Sequence, residues 1–270
     1  MNTANVKDAP AGARPSGGSR YSAPALEKGL DILELLAGRS EPMTQTGIAA
    51  ELGRSVSELF RMLACLERRG YVARPSLGEG YVLTMRLHEL ANLYPPTRRL
   101  LDVALPAIRA LAERTRQSCH LGVYSAGQLY VVAQVESPAP VGFSVRLATG
   151  FPLLGTASGR VLLAFQPGEV RRAWLGPAAD EHAPRLDIIR DLGFERIAGE
   201  TFRGITDLSR PVLDQRGHAL AALTVPYAEM SGAHASLDET AGLLAETAAA
   251  ISAGVGGRRA GEIRSLIPAG

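Results

Sequence analysis

Residues 54–70 read RSVSELFRMLACLERRG, and the organisation of the whole chain follows from how these side chains divide about a helix axis. At about 100° per residue from Leu59, Val56, Leu63 and Leu66 fall within roughly 60° of it and make an apolar back. Arg54, Ser57, Arg61, Ala64 and Arg68 gather on the opposite side, with no acid among them. Ser55 followed three residues later by Glu58 is a capping box, and Gly70 stands where a C′ glycine belongs. The stretch therefore predicts a short, well-delimited helix with a small, polar, cationic front.

Composition sets the frame around it. At 270 residues the chain has room for two domains, and an apolar share of 46% is that of a globular protein. The net charge of +2 is spread evenly: 11 Lys+Arg against 10 Asp+Glu through Pro95, and 18 against 17 beyond it. No domain is strongly basic, but Gly53–Arg74 concentrates Arg54, Arg61, Arg68, Arg69 and Arg74 against only Glu58 and Glu67. Cys65 and Cys119 have neither metal spacing nor a disulfide framework, which fits a reducing compartment. No run approaches the length of a membrane span, and Met1–Arg20 lacks the apolar centre of a signal peptide. A cytoplasmic location is expected.

Upstream of the opening stretch, residues 1–20 are rich in Gly, Pro, Ala and Ser without a period and predict a disordered tail. A first helix is expected from Pro24 to Ala37, with Leu26, Leu30, Ile32, Leu33 and Leu36 as its stripe. Thr44 can cap a second, shorter helix ending near Leu52, and Gly53 turns the chain into the third. Downstream, Tyr71–Ala73 and Tyr81–Leu83 are strand-like runs about a Pro75–Gly80 turn. Helix, helix-turn-helix and hairpin in that order make a winged helix-turn-helix.

A helix from Thr84 to Tyr94 should end at Pro95-Pro96. Another is expected over Thr97–Arg116, with Pro106 kinking it or shifting its start. The texture then becomes β: two strands about a Gly127 turn, and a third in VGFSVRL (141–147). Helices are expected after Thr156, near Glu169–Leu175 and near Pro184–Leu192. Strands return at Thr206–Leu213 and Ala219–Pro226, and Ser236 with Glu239 forms a second capping box opening a final helix, Leu237–Ala253.

Taken together, these segments resemble the IclR family of bacterial transcriptional regulators over about Tyr21–Val255. The resemblance rests on ALEKGLDILELLA (25–37), LGRSVSELFRMLACLERRGYVAR (52–74), GFPLLGTASGRVLLAF (150–165), RGITDLSRPVLDQRGHALAALTV (203–225) and the capped last helix. It implies an α+β chain: an N-terminal winged helix-turn-helix domain (21–83), a linker helix (84–96) and a C-terminal GAF-like α/β effector-binding domain (97–256). Residues 257–270 read as a loose tail.

On the reading helix, residue chemistry and resemblance converge. Arg61, central on the front, suits bidentate bonds to guanine or a hold on phosphate. Ser57 suits a phosphate or base edge near the helix N-terminus, and Ser55 shares that end. Arg54 and Arg68 suit the DNA backbone, and Arg74 in the wing suits a minor-groove or phosphate contact. In isolation all six are also compatible with solvated polar positions. Val56 stands where relatives commonly carry Lys or Arg, and Glu58 where they carry a small hydroxyl. Glu58 could read a cytosine amino group, but its spacing from Ser55 favours the cap.

In the second half, a helix starting at Thr156 leaves the N–H groups of Ala157, Ser158 and Gly159 unpaired and inviting to a carboxylate. The resemblance places that helix start in the effector pocket, with Asp207, Ser209 and Thr224 beside it and Leu121, Val123 and Leu154 as apolar lining. An organic acid is the expected effector. Asp207, where many relatives have a small neutral residue, points also to a hydroxylated or amine-bearing compound.

GTASG lacks the G-x-S-x-G elbow of a serine hydrolase, and His120, His182, His218 and His234 form no pattern with Ser158 or with Cys119. No catalytic residue, metal or cofactor is expected. The chain reads as a ligand-responsive, sequence-specific regulator of a catabolic operon. Its expected partners are double-stranded DNA with a palindromic operator, a small-molecule effector, a second copy in a homodimer or tetramer, and RNA polymerase as a further candidate, with no membrane. The alternative from another class is a small-molecule sensor whose helical half binds protein.

Overall fold

Proline and hydroxyl side chains open the N-terminal helices. α1 (Pro24–Ala37) begins with Pro at its first position. Thr44 Oγ1 caps α2 (Gln45–Glu51) by accepting from Gly47 N at 3.1 Å, and Ser55 caps α3 (Val56–Arg68) through a complete capping box. At its far end Gly70 sits at φ +77°, where a side chain would be strained, and Tyr71 N closes on Leu66 O at 2.9 Å. β1 (Val72–Ala73) and β2 (Val82–Leu83) pair antiparallel. Met43 bridges to Tyr81, so the hairpin is tied back to the start of α2. α4 (Arg86–Leu93) follows.

This is a computed structural model describing residues 23–76, 79–93, 95–200, 202–229 and 235–257. The expected tail at 1–20, the end of the C-terminal one (258–270), the middle of the wing turn and His234 lie outside these residues. The described residues form two compact units, 23–98 and 99–257.

The first unit packs Ile32, Leu36, Ile48, Leu59, Leu63, Val72 and Tyr81 into one core. Three expected core side chains are not in it: Leu26, Leu30 and Val56 are 63%, 47% and 40% exposed. On α1 the buried face centres on Leu36, so Leu26 and Leu30 fall at its margin. On α3 the buried pair is Leu59 and Leu63, and Val56 lies in the first turn at the edge of their face.

α5 (Pro95–Thr115), which from Arg99 on belongs to the second unit, is one continuous helix with Pro106 inside it. It starts at the proline pair expected to precede it, because a first-turn proline loses no helical hydrogen bond. Then come β3 (Cys119–Ser125), β4 (Gln128–Val135), β5 (Gly150–Pro152), a 3-10 turn (Leu153–Gly155), α6 (Ala157–Ala164), α7 (Gly168–Leu175), α8 (Ala178–Leu192), β6 (Glu195–Ala198), β7 (Ile205–Leu213), β8 (Ala219–Ala228) and α9 (Leu237–Gly254). The strands form an antiparallel sheet in the order β5-β4-β3-β8-β7-β6, with helices on both faces in a GAF-like arrangement. VGFSVRL is not a strand: residues 141–147 are irregular, and the chain rejoins β4 only through Ala148 and Thr149. α8 begins at Ala178 and carries Pro184 in its interior, and β6 has no counterpart among the expected strands.

Strand alternation divides the core in two. Leu121, Leu208, Leu223 and Val225 pack with Ile108 of α5 and Ile251 of α9. Leu129, Val131 and Ala222 pack with Val161 to Ala164 of α6, with Phe165 just after it, and with Leu186 of α8. Gly159 sets how closely α6 meets the 3-10 turn, since a Cβ there would lie 2.1 Å from Leu153 O. Gly159→Ala should therefore cost about 1–3 kcal/mol through overpacking and lower Tm by roughly 3–10 °C in a domain this size. Gly168→Ala, with open space around it, should leave Tm nearly unchanged in the same calorimetric comparison. Equal Tm values for the two variants would show that the turn retreats without cost.

Candidate functional site

The front of α3 is set by what is bound on its flank. Glu58 Oε2 accepts from Ser55 N at 3.0 Å and from Ser55 Oγ at 2.9 Å, and Lys28 Nζ of α1 donates to Oε1 at 2.8 Å. The Lys28 ammonium, then the Ser55 donors, pull the Glu58 pKa down to about 2. Both carboxylate oxygens are thus occupied, and the cap outweighs the base-reading role for Glu58. Gln45 Nε2 donates to Val56 O at 3.1 Å, fixing the first turn of α3 to α2 across the Gly53 turn.

With Glu58 held, Arg54, Ser55, Ser57, Arg61 and Arg68 are all exposed. Ser57, Arg61 and Arg68 share one side of α3, and Arg54 lies just before its first turn. No ion pair among the described residues engages Arg54 or Arg61. Arg68 makes only a 3.7 Å contact to Cys65 Sγ. Arg74 is tied to its own wing: Nη2 donates to Tyr81 Oη at 2.6 Å, the guanidinium lies 4.9 Å from the Tyr81 ring centre, and Nε is 3.4 Å from Glu67. Thr84 Oγ1 donates to Gly70 O, joining the base of the wing to the end of α3.

The second candidate region lies on the sheet face beneath α6. Thr156 is the N-cap rather than the first helical residue, and its Oγ1 accepts from Gly159 N at 3.1 Å. Gly159 therefore has a partner, contrary to the expectation that its N–H is unpaired along with those of Ala157 and Ser158. Below them runs a polar row in cross-strand register: Gln134 on β4, His120 on β3, Thr224 on β8, Ser209 on β7 and Glu195 on β6. Thr224 Oγ1 is 2.9 Å from Ser158 Oγ and 2.8 Å from Ser209 Oγ. Arg160 Nε meets both Glu195 oxygens at 2.9 Å, its Nη2 meets Glu200 at 2.6 Å, and its Nη1 donates to Leu154 O at 2.7 Å. Arg185 adds a 2.7 Å bond to Glu195.

Asp207 lies one pleat beyond Ser209 on the same face. Burial, reinforced by Glu200, raises its pKa to about 6. Leu121 and Val123, expected in the lining, are not on this face. Both belong to the core against α5 and α9, because odd positions at the start of β3 point opposite to His120. Leu154 stays on the α6 side. His120 and Gln134 were not among the expected site residues. His120 Nδ1 and Gln134 Nε2 are buried without a hydrogen-bond partner among the described residues, and burial drives the His120 pKa down to about 4. The signal for them is pairing between strands, which no local spacing encodes.

Ser158 is bonded to a hydroxyl and not to a base. Among the described residues no cluster of His, Cys, Asp and Glu is placed to hold a metal ion, and no helix is long and apolar enough to cross a membrane.

Two family models match this chain: the IclR helix-turn-helix domain over residues 25–76, and the bacterial transcriptional regulator IclR C-terminal over residues 96–253. The HTH-type transcriptional regulator KdgR of Escherichia coli is 27% identical over 83% of this chain and 90% of its own length. The glycerol operon regulatory protein of Streptomyces griseus is 29% identical over 87% and 97%. An IclR homolog from Microbacterium hydrocarbonoxydans, solved in complex with 4-hydroxybenzoate, matches with a TM-score of 0.69 at 23% identity over 86% of this chain and 98% of its own. Pseudomonas aeruginosa HmgR matches with a TM-score of 0.65 at 28% identity over 85% and 98%.

The raised pKa of Asp207 has a signed consequence for stability. The folded state holds a proton that the unfolded chain releases near its ordinary value of 3.8. The associated stability is complete below that value and is lost as pH rises through about 6. The Tm of the wild type relative to Asp207→Asn should therefore fall steadily between about pH 4 and pH 7. A difference that stays flat over this range would contradict the burial of Asp207.

Proposed function

Because this chain belongs to the IclR family of bacterial transcriptional regulators, we propose that the front of α3 is its DNA-reading surface and that the sheet face under the α6 N-terminus receives its effector. The family makes the chain a ligand-responsive, sequence-specific DNA-binding regulator of transcription. What supports the residue-level reading is a single feature: Arg61 stands exposed in the middle of a front from which the one nearby acid, Glu58, has been drawn aside by Lys28 and Ser55. In the major groove Arg61 reads a guanine edge or holds a phosphate beside it. Ser55 and Ser57 face the backbone near the helix start, and Arg54, Arg68 and Arg74 hold phosphates. A symmetric dimer in the cytoplasm sets two such helices on a palindromic operator, a helical turn or a multiple apart.

The effector in this reading is a small hydroxylated organic acid drawn from a catabolic pathway. Its carboxylate takes the free Ala157 and Ser158 N–H groups, with Thr156 and Leu154 beside them, and its hydroxyl meets Asp207, Ser209 or Thr224. 4-Hydroxybenzoate, the ligand in the related Microbacterium structure, has both groups and illustrates the class. Such a ligand regulates only insofar as it binds the DNA-competent and DNA-incompetent states with different affinity.

Arg61→Ala should weaken binding to duplexes selected from a random library by about 5- to 150-fold, and reduce the salt slope by about one if the contact is to phosphate. Unchanged affinity and unchanged salt dependence, measured by fluorescence anisotropy, would remove α3 as the reading element. For the second region, a panel of hydroxylated organic acids at about 100 times Kd should stabilise the protein by about 2.7 kcal/mol. If no member of the panel raises Tm, the effector assignment falls.

A further inference from the structure

The cationic row on α3 is bordered by side chains that a phosphate-binding helix has no use for. Val56 and Phe60 are 40% and 54% exposed, and Ala64 is exposed as well. Spaced four residues apart, they advance only about 40° per step around the helix. They therefore form a continuous apolar strip between the buried Leu59–Leu63 row and the Ser57–Arg61–Arg68 row. An exposed large aromatic on a helix with a well-filled core face is costly to leave in water. Arg61, next in sequence to Phe60, lies about 100° around the helix, so the two address neighbouring parts of one surface. The strip is continuous with the row of positive charge, so whatever that row binds also meets Val56 and Phe60.

Resting on the reading of α3 as the DNA-reading helix, we propose that the Val56–Phe60–Ala64 strip is a second reading surface, which recognises the C5 methyl groups of thymines in the half-site. Thymine presents the one apolar group on the major-groove edges, and contact with Phe or Ala is how it is distinguished there. Val56 and Phe60 are separated by about 6 Å along the helix axis, close to two base-pair steps of about 3.4 Å each. The strip thus selects thymines about two steps apart, beside the position taken by Arg61. Phe60 supplies the larger contact, and Val56 and Ala64 extend it to either side.

The test uses the full-length chain and duplexes it selects from a random library. Each half-site thymine is replaced in turn by 2′-deoxyuridine, which removes the methyl and leaves every hydrogen-bonding edge intact. The wild type should lose about fourfold in affinity per contacted methyl, at one or two positions in each half-site. Phe60→Ala should bind thymine and uridine duplexes equally at its position, and Phe60→Leu should keep part of the discrimination. Both substitutions are at an exposed site, and unchanged Tm confirms that they act on the interface. Arg61→Ala should bind more weakly overall yet still prefer thymine. The proposal is overturned if the wild type does not distinguish thymine from uridine, if the selected half-sites have no thymine, or if Phe60→Ala retains the preference. If the wild type selects no DNA sequence, or Arg61→Ala changes nothing, the DNA-reading assignment of α3 has failed and the strip falls with it. If the wild type shows no thymine discrimination, or Phe60→Ala retains it, while the Arg61 effect is intact, the strip alone is overturned.

Discussion

One carboxylate ties together the first and third helices of the N-terminal unit. Glu58 closes the capping box with Ser55 and at the same time receives the Lys28 ammonium from α1. These groups are partly exposed, so each bond alone contributes modestly. The stability of the helix pair comes from Ile32, Leu36, Leu59 and Leu63 beneath them. What Lys28 and Ser55 set is the position of the carboxylate itself: Glu58, one helical turn from Arg61, has both oxygens engaged on the α1 side, away from the Ser57–Arg61–Arg68 row. Burial of Leu59 and Leu63 leaves Val56 and Phe60 in solvent between the core and the cations, so an apolar strip and a charged row lie side by side on one short helix.

In the second unit the comparable constraint is polar and buried. A sheet covered by helices on both faces ordinarily fills its inner positions with apolar side chains, and buried polar groups persist there when they are satisfied. Here the row from Glu195 to Thr224 is satisfied by α6: Arg160 bonds Glu195, and Ser158 bonds Thr224. Removing one member of the Arg160–Glu195–Glu200 group would strand buried charge, which is far more costly than replacing the whole group. The other end of the row is different. His120 and Gln134 face the same side with unpaired nitrogens, so the sheet passes from a closed polar network to an open one over two strands. The transition falls at Thr224, which Ser158 of α6 meets, while Asp207, its pKa raised by burial and by Glu200, lies toward the closed end. Donors, hydroxyls and a carboxyl of adjustable charge are thereby gathered without any one residue dominating.

Much of this was legible from local spacing. Ser55 with Glu58, Ser236 with Glu239, Pro24, Thr44 and Gly70 mark helix ends because a cap or a left-handed turn is a matter of four or five consecutive residues. The helix-turn-helix, the wing, the β3–β4 hairpin about Gly127 and the final helix all follow from such signals. Errors arose where a neighbour distant in sequence decides the outcome. VGFSVRL has the composition of a strand but finds no continuous partner. Val56, Leu26 and Leu30 have the period of a core stripe but lie at its margin, because the centre of a buried face depends on where the opposing helix sits.

The sequence by itself determined the amphipathic helix α3, its caps and its cationic front, since the 3.6-residue period and the capping residues are contained within it. It also placed Leu121 and Val123 on a common face of β3, but not on which one. That choice needed the tertiary structure, because α5 and α9 cover one side of the sheet and α6 the other. Register was decided at the same level: His120 meets Gln134 across one strand pair and Thr224 across another, and Arg160 reaches Glu195 from a different element. Alternation along a strand is local, whereas facing and register are properties of pairs of strands, and so the polar row exists only once the sheet is assembled.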